Sequence, residues 1–516
     1  MGAPSLLFPP GKQARDPGRA GRLADEAAHD LRLDELARAM AAGRDGFGLD
    51  ELLLTALPSA EHVAWRQSVF RDLASGAIAD LLRAFERSMR DVRSVQARAA
   101  RLRAGHERTR WELAALEAYV AGVDALGDGL RDVVPEPASE AVRGVAAWLD
   151  SYRKGAEPGR LRADASASVG MLAGVTYRLR IGEHRIAVDR VRNEPDLGSE
   201  VREAFARFGG TPIAGNRPPQ SPAAVDLDAI ETAILDRVAR LHPAAFTAAD
   251  ACVAAHRTFV DPALAALERE SAFYLAWLDL VAPLVAAGLP LVEPAVGGPG
   301  NGALQVAGLY DIALALDLVA GGRAVVGNDI DVAASDRLLV ATGPSQGGKT
   351  TLARALGQVH HLAATGCPVP AASAVVPLVA SIHTLFDRGE DPELGGGRLE
   401  SDLRAIAAIL PSTGPSTLVV MNETFPSTTV ADALDLAGAV LDDLAARDAR
   451  TVVVTFLDEL ARRPGAVSLA CAVDPAEPER RTYRFERRPA DGLAFAHAVA
   501  ERHGLGYGAI RRRLDR

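Results

Sequence analysis

The chain has 516 residues, 48% of them apolar and 5% aromatic, and a formal net charge of −10. That length can bury more than one core, so two or three domains are expected, with abundant alanine and leucine favouring helices. The acidic balance argues against a wholesale nucleic-acid coat, and the absence of any run of about 18 uncharged apolar residues excludes a spanning helix and membrane attachment by one.

Near the start, Leu6 to Phe8 form a short apolar patch without the basic flank or long apolar core of a secretory signal. From Leu31 to Leu126 apolar residues recur at intervals of three and four, which predicts helices. Val134 to Pro137 breaks the pattern, and a further helix is expected through Ser139 to Arg153. Thr176 to Arg192 then alternates apolar and polar around Gly182-Glu183, the signature of a β-hairpin. Gly209 to Ala224 reads as a Gly/Pro/Ser-rich loop, and helical periodicity returns from Ala223 to about Ala287. Beyond Leu291, short β-type runs alternate with helices, as in an α/β domain with a mainly parallel sheet. Cys252, Cys367 and Cys471 are far apart and lack CxxC spacing, so no disulfide framework is expected and a cytoplasmic location follows.

The strongest motif follows a predicted strand, Arg337 to Thr342. Gly343-Pro344-Ser345-Gln346-Gly347-Gly348-Lys349-Thr350 matches G-x-x-x-x-G-K-[ST], and Thr351 to Val359 continues as a helix. This strand–loop–helix setting is the one a phosphate-binding loop requires: glycines let backbone N–H groups curl toward a phosphate, and the helix N-terminus adds partial positive charge. Lys349 would reach the β- and γ-phosphates of ATP and the Thr350 hydroxyl would ligate Mg²⁺; Thr351 completes the candidate binding set. Only three of the 57 basic residues are lysines, and one stands here. Downstream, Leu418 to Thr424 is an apolar strand ending in the polar pair Asn422-Glu423.

The stretch Ala341 to Thr351, followed by Ala364-Thr-Gly-Cys-Pro-Val-Pro-Ala371, resembles the phosphate loop and following turn of the MutS family. The likeness continues through Leu418 to Ala433, Thr451 to Leu460 and the closing helix expected at Pro489 to Ala500, and is weaker in the N-terminal half. It implies a multidomain protein: an all-α lever and core region with a short β-hairpin insertion, then an α/β P-loop NTPase (ABC-like) domain. The expected divisions are 1–170 for the helical core, 171–225 for a clamp-like hairpin insertion, 226–290 for returning lever helices and 291–516 for the ATPase. Pairing of two such ATPase domains in a homodimer, with composite ATP sites, is also implied.

Several positions depart from the family pattern. The family has Asp-Glu where this chain has Asn422-Glu423. Glu423 keeps the general-base position, while neutral Asn422 as a metal ligand weakens Mg²⁺ binding by one charge. Gly395 to Asp402 lies at the family's Gly-Arg-Ser-Thr signature; Gly397 and Arg398 fit, but Leu399 replaces the serine, and an ordinary surface loop is the other reading. Phe456 replaces a γ-phosphate-sensing histidine after Thr455 and can do no acid–base work. Slow hydrolysis is therefore expected. Ser427-Thr428-Thr429 with Asp432 reads as a partner-crossing loop, a helix N-cap, or both. Val325-Val326 before Gly327-Asn328-Asp329 is an apolar adenine wall or a plain turn.

Nine arginines lie between Arg83 and Arg110, and five more sit on the hairpin at Arg178, Arg180, Arg185, Arg190 and Arg192. Either set could meet a phosphate backbone; a charged helical run is more often a solvated face. None of the 14 phenylalanines begins Phe-x-Glu, the family's mismatch-reading wedge. The reading is an ATP-dependent, DNA-binding ATPase in repair or recombination that does not read mismatches directly. Its rival is an ATP-gated dimeric scaffold for a protein partner, with little hydrolysis or DNA contact; a small-molecule kinase fits poorly.

Overall fold

The computed structural model describes residues 4–12, 21–183, 185–191, 227–297, 302–344, 346–386, 397–473, 481–490 and 510–511. Ser345, Gly395, Arg192, the 209–224 loop and most of the expected closing helix at 489–500 lie outside them. Helices α1 (Asp25–Asp30), α2 (Leu33–Ala41), α3 (Leu49–Leu54), α4 (Ala60–Ala74), α5 (Ala77–Arg101), α6 (His106–Asp132), α7 (Glu140–Arg153) and α8 (Ala156–Ala173) precede the hairpin strands β1 (Arg178–Gly182) and β2 (Arg185–Asp189). Helices α9 (Ala229–Leu241), α10 (Pro243–Ala255) and α11 (Pro262–Ala286) follow. The α/β region then runs β3 (Ala295–Gly297), β4 (Leu304–Leu309), α12 (Ile312–Ala320), β5 (Asn328–Val332), β6 (Leu338–Thr342), α13 (Lys349–Thr365), β7 (Ser373–Pro377) and β8 (Ser381–Phe386). It continues with α14 (Arg398–Ile409), β9 (Thr417–Asn422), α15 (Val430–Ala446), β10 (Arg450–Val454), β11 (Ala466–Val473) and β12 (Arg481–Arg487).

Two compact units result: Met1–Pro4 with Leu73–Arg269, and Ser5–Asp72 with Glu270–Arg516. These differ from the divisions at 170, 225 and 290, which follow changes in periodicity along the chain. Periodicity reports which face of an element is buried, not what covers it.

The first unit is helical. In α5, Ile78, Leu82, Phe85, Met89 and Val92 form the buried stripe, facing a similar stripe on α6 that includes Trp111, Leu116, Tyr119 and Val123. Ser139 caps α7 by accepting from the Val142 N–H at 3.2 Å. The hairpin pairs antiparallel, Leu179 opposite Val188 and Ile181 opposite Ile186. That register gathers these apolar residues on one face and leaves Arg180 on the other, 2.7 Å from Asp189.

The second unit holds two mixed sheets. One has the order β12-β11-β6-β10-β9-β8, with parallel pairings except β11 with β12; the other is β3-β7-β4-β5. Strands β9 and β10 are buried at every residue, as continuous apolar runs in the middle of a parallel sheet must be. Helix α13 is buried from Leu352 through Thr365 apart from half-buried Arg354, so it has almost no polar face, and it runs six residues past the expected Val359 to end at Thr365. Residues 5–72 join this unit because they cover α13: its Gln358 donates to Leu31 O at 2.9 Å and its His361 ring meets Leu53 O at 2.8 Å. The Leu6 to Leu7 patch is buried in the same unit, Leu6 O accepting from the Tyr274 hydroxyl at 2.6 Å.

Candidate functional site

Strand register sets the site. Val454 of β10 lies opposite Ala341 of β6 on one side and Asn422 of β9 on the other, so three parallel strands end at one level. Glu423 N–H donates to Val454 O at 2.8 Å and Thr455 N–H to Ala341 O at 3.1 Å, extending that edge. The 343–350 loop leaves β6 here and enters α13. Carboxyl ends of parallel strands are where ligands of such sheets sit.

Two glycines of this loop are required by close approach and conformation. A Cβ on Gly343 would lie 2.5 Å from the Cys471 Cβ of β11, and its φ is +145°. Gly348 has φ +91° and faces the Tyr483 ring, which a Cβ would meet at 3.3 Å. Cys471 therefore serves as the floor under the loop, its thiol reaching Gly347 O at 3.5 Å; burial pushes that thiol's pKa up, which keeps it protonated.

Four of the sequence-predicted residues converge. Lys349 is buried, and its Nζ donates to Gly343 O at 3.0 Å and Pro344 O at 3.1 Å and lies 3.4 Å from Glu423 Oε1. Thr350 Oγ1 donates to Asn422 Oδ1 at 3.2 Å. The ammonium group, the carboxylate and the hydroxyl thus line one cleft of about 570 Å³, with the amide oxygen hydrogen-bonded to the hydroxyl. Gln346, Gly348 and Thr351 line it too, as do Val325, Val326 and Asn328 of the stretch considered for adenine. Gln346 and Glu423 both adopt positive φ, 62° and 53°, unusual for residues with side chains and here imposed by the turns leaving β6 and β9.

Other expected positions behave differently. Thr429 caps α15, accepting from Asp432 N–H at 3.2 Å and donating to Asp432 Oδ2 at 2.8 Å. Gly397 is the N-cap residue of α14, and Leu399 packs against the core cluster that includes Val419, Met421 and Val453. Phe456 is 51% exposed at the sheet edge, while the Thr455 hydroxyl is buried and accepts from Leu457 N–H at 3.0 Å.

Much of the cleft lining escaped the sequence reading, Tyr483 and Asp311 among it. Tyr483 of β12 is held by Asn328, whose side chain donates to Tyr483 O at 3.1 Å and accepts from Phe485 N–H at 2.7 Å. Asp311 also lines the cleft, from the N-cap of α12. Neither had a local signal: one sits about 130 residues after the loop in a charged strand, and the other follows a Leu-Tyr pair that resembles any helix start.

Comparison with known proteins places these features. The MutS domain V family model matches residues 339–502. The DNA mismatch repair protein MutS of Granulibacter bethesdensis (strain ATCC BAA-1260 / CGDNIH1) is 35% identical over 179 residues, which is 34% of this chain and 18% of that protein. The similarity thus spans less than a fifth of the relative's length.

Proposed function

Because this chain belongs to the MutS family through its C-terminal region, we propose that it is an ATP-binding, P-loop ATPase that works as a homodimer on DNA in repair or recombination, without reading mismatches directly. One observation carries the nucleotide part of this reading: Lys349, Thr350 and Glu423 line one cleft beside a glycine loop, with Asn422 hydrogen-bonded to Thr350.

The residues fit a triphosphate with its metal. The loop has glycine where Cys471 and Tyr483 leave little or no room for a Cβ, so its backbone can seat against β11 and β12, and the helix N-terminus that follows suits a phosphate. Lys349 would exchange the Gly343 and Pro344 carbonyls for phosphate oxygens, a stronger pairing because both partners are charged. Thr350 and Asn422 already face each other and would hold Mg²⁺, which supplies charge neutralisation for the phosphates when bound. Glu423, whose side chain is 41% exposed, has solvent access and would orient and deprotonate the attacking water. With one carboxylate instead of two beside the metal position, and with Phe456 in place of a polar group, turnover is slow. Val325, Val326 and Tyr483 offer the apolar and aromatic surface that a base needs.

The rival reading, an ATP-gated dimeric scaffold without DNA contact, draws on Leu399, which packs against the core, and on Phe456, an exposed ring two residues past the end of β10. Calorimetry with ATP–Mg²⁺ tests the nucleotide reading: the full chain binds it. Gel shifts on duplex, single-stranded and junction DNA, with and without ATP, separate the rivals. Salt-sensitive binding to any of them supports the DNA reading, and none at low salt supports the scaffold.

A further inference from the structure

Asp311 is 3% exposed, and its two carboxylate oxygens have different surroundings. Oδ1 accepts from Leu314 N–H at 3.1 Å and from Gln358 Nε2 at 2.8 Å. Oδ2 is buried without a hydrogen-bond partner. The orientation is set from outside: Gln358, wholly buried on α13, also donates to Leu31 O at 2.9 Å and accepts from Ile312 N–H at 3.0 Å, so its amide cannot turn to serve Oδ2. Leaving a buried carboxylate oxygen unmatched is costly, and one on a residue that lines a ligand cleft calls for a donor from the ligand.

The surrounding cleft says which donor. Asp311 shares it with Leu309, Tyr310, Leu314, Leu318, Val325 and Val326, an apolar lining suited to a flat heterocycle, while the phosphate-type groups Lys349 and Thr350 also line it. Resting on the nucleotide reading above, we propose that Asp311 Oδ2 accepts a hydrogen bond from the exocyclic amine of the base and makes the site selective for adenine over 6-oxopurines. Guanine and hypoxanthine present an acceptor at that position, which would face the carboxylate oxygen with repulsion. Sites that hydrogen-bond a substrate group with a buried polar partner discriminate strongly against analogues lacking it.

The test uses the full chain and calorimetric affinities for four triphosphates: ATP, ITP, purine riboside triphosphate (which lacks the amine) and 2′-deoxyATP. The wild type is expected to bind ATP at least about tenfold more tightly than ITP or purine riboside triphosphate, and to bind 2′-deoxyATP like ATP. Asp311→Asn keeps an acceptor for Leu314 N–H and presents an amide donor instead of Oδ2, so the ATP preference over ITP should vanish or invert. Equal binding of ATP and purine riboside triphosphate by the wild type overturns the proposal without any variant. So does a folded Asp311→Asn protein with unchanged selectivity. If 2′-deoxyATP alone loses affinity, the donor is the ribose hydroxyl and the base assignment fails. Failure of the underlying reading looks different: none of the four binds, or Lys349→Ala leaves all four affinities unchanged.

Discussion

The 343–350 loop and the arginine run from Arg83 to Arg110 both stand out in the sequence, yet they differ once folded. In the loop, the chemistry-bearing groups gather: Lys349 lies 3.4 Å from Glu423, and Thr350 3.2 Å from Asn422. In the arginine run, charges are largely consumed nearby. Arg83 pairs with Asp80, Arg90 with Glu86, Arg93 with Glu268 at 2.6 Å and Arg108 with Glu112 at 2.8 Å, while Arg98 and Arg110 stack on Trp111. A loop motif encodes its own backbone and therefore carries its meaning locally. A charge run means whatever its neighbours leave over.

Experiments that would break or sharpen this contrast run from large effects to small. Glu423→Gln should lower single-turnover phosphate release by roughly 10²- to 10⁴-fold with ATP binding intact, the usual contribution of a general base; unchanged release removes Glu423 from that role. Lys349→Ala should weaken ATP–Mg²⁺ binding about 100-fold or more, since charge-assisted hydrogen bonds contribute about 1.5–3 kcal/mol each. Normal calorimetric affinity in that variant would overturn the assignment of the loop.

The helix behind the loop makes a pH prediction. Burial lowers the pKa of His360 and His361 to about 4, against an ordinary value of 6.5. The unfolded chain therefore binds more protons, so stability should fall as pH drops from about 6.5 to about 4, by up to roughly 3 kcal/mol per histidine. Urea unfolding of the full chain at several pH values checks this; a flat profile across that window would mean that these rings are hydrated. Asn422→Asp should tighten Mg²⁺-dependent nucleotide binding by about tenfold, as one added charge beside the ion implies. The smallest effect belongs to the arginine run. Replacing exposed Arg101 and Arg103 by alanine should change DNA affinity by less than about twofold, whereas loss of two phosphate contacts would reduce the salt slope by about 2.

Fold and site were legible to different extents. The hairpin could be read from alternation alone, and α7 from the Ser139 cap after a proline-bearing break. Helix α8 between Ala156 and Ala173 was not anticipated; only three of its residues are buried, so it has little amphipathic pattern to read. Thr429 could be read as an N-cap because capping is a matter of neighbours three residues apart. Leu399 could not be placed, since whether a leucine at a helix start turns inward depends on a cluster drawn from β9, β10 and α15.

By itself the sequence determined the glycine loop between strand and helix, the acidic residue after β9, and the change from helical to α/β pattern near Leu291. Only the tertiary structure decided that residues 5–72 cover α13, that Tyr483 lies against Gly348, and that Asp311 lines the cleft with one oxygen unmatched. The first group depends on backbone conformation and short-range periodicity, which a few adjacent residues specify. The second depends on packing between segments separated by tens to hundreds of residues, where a side chain's role is set by what arrives beside it.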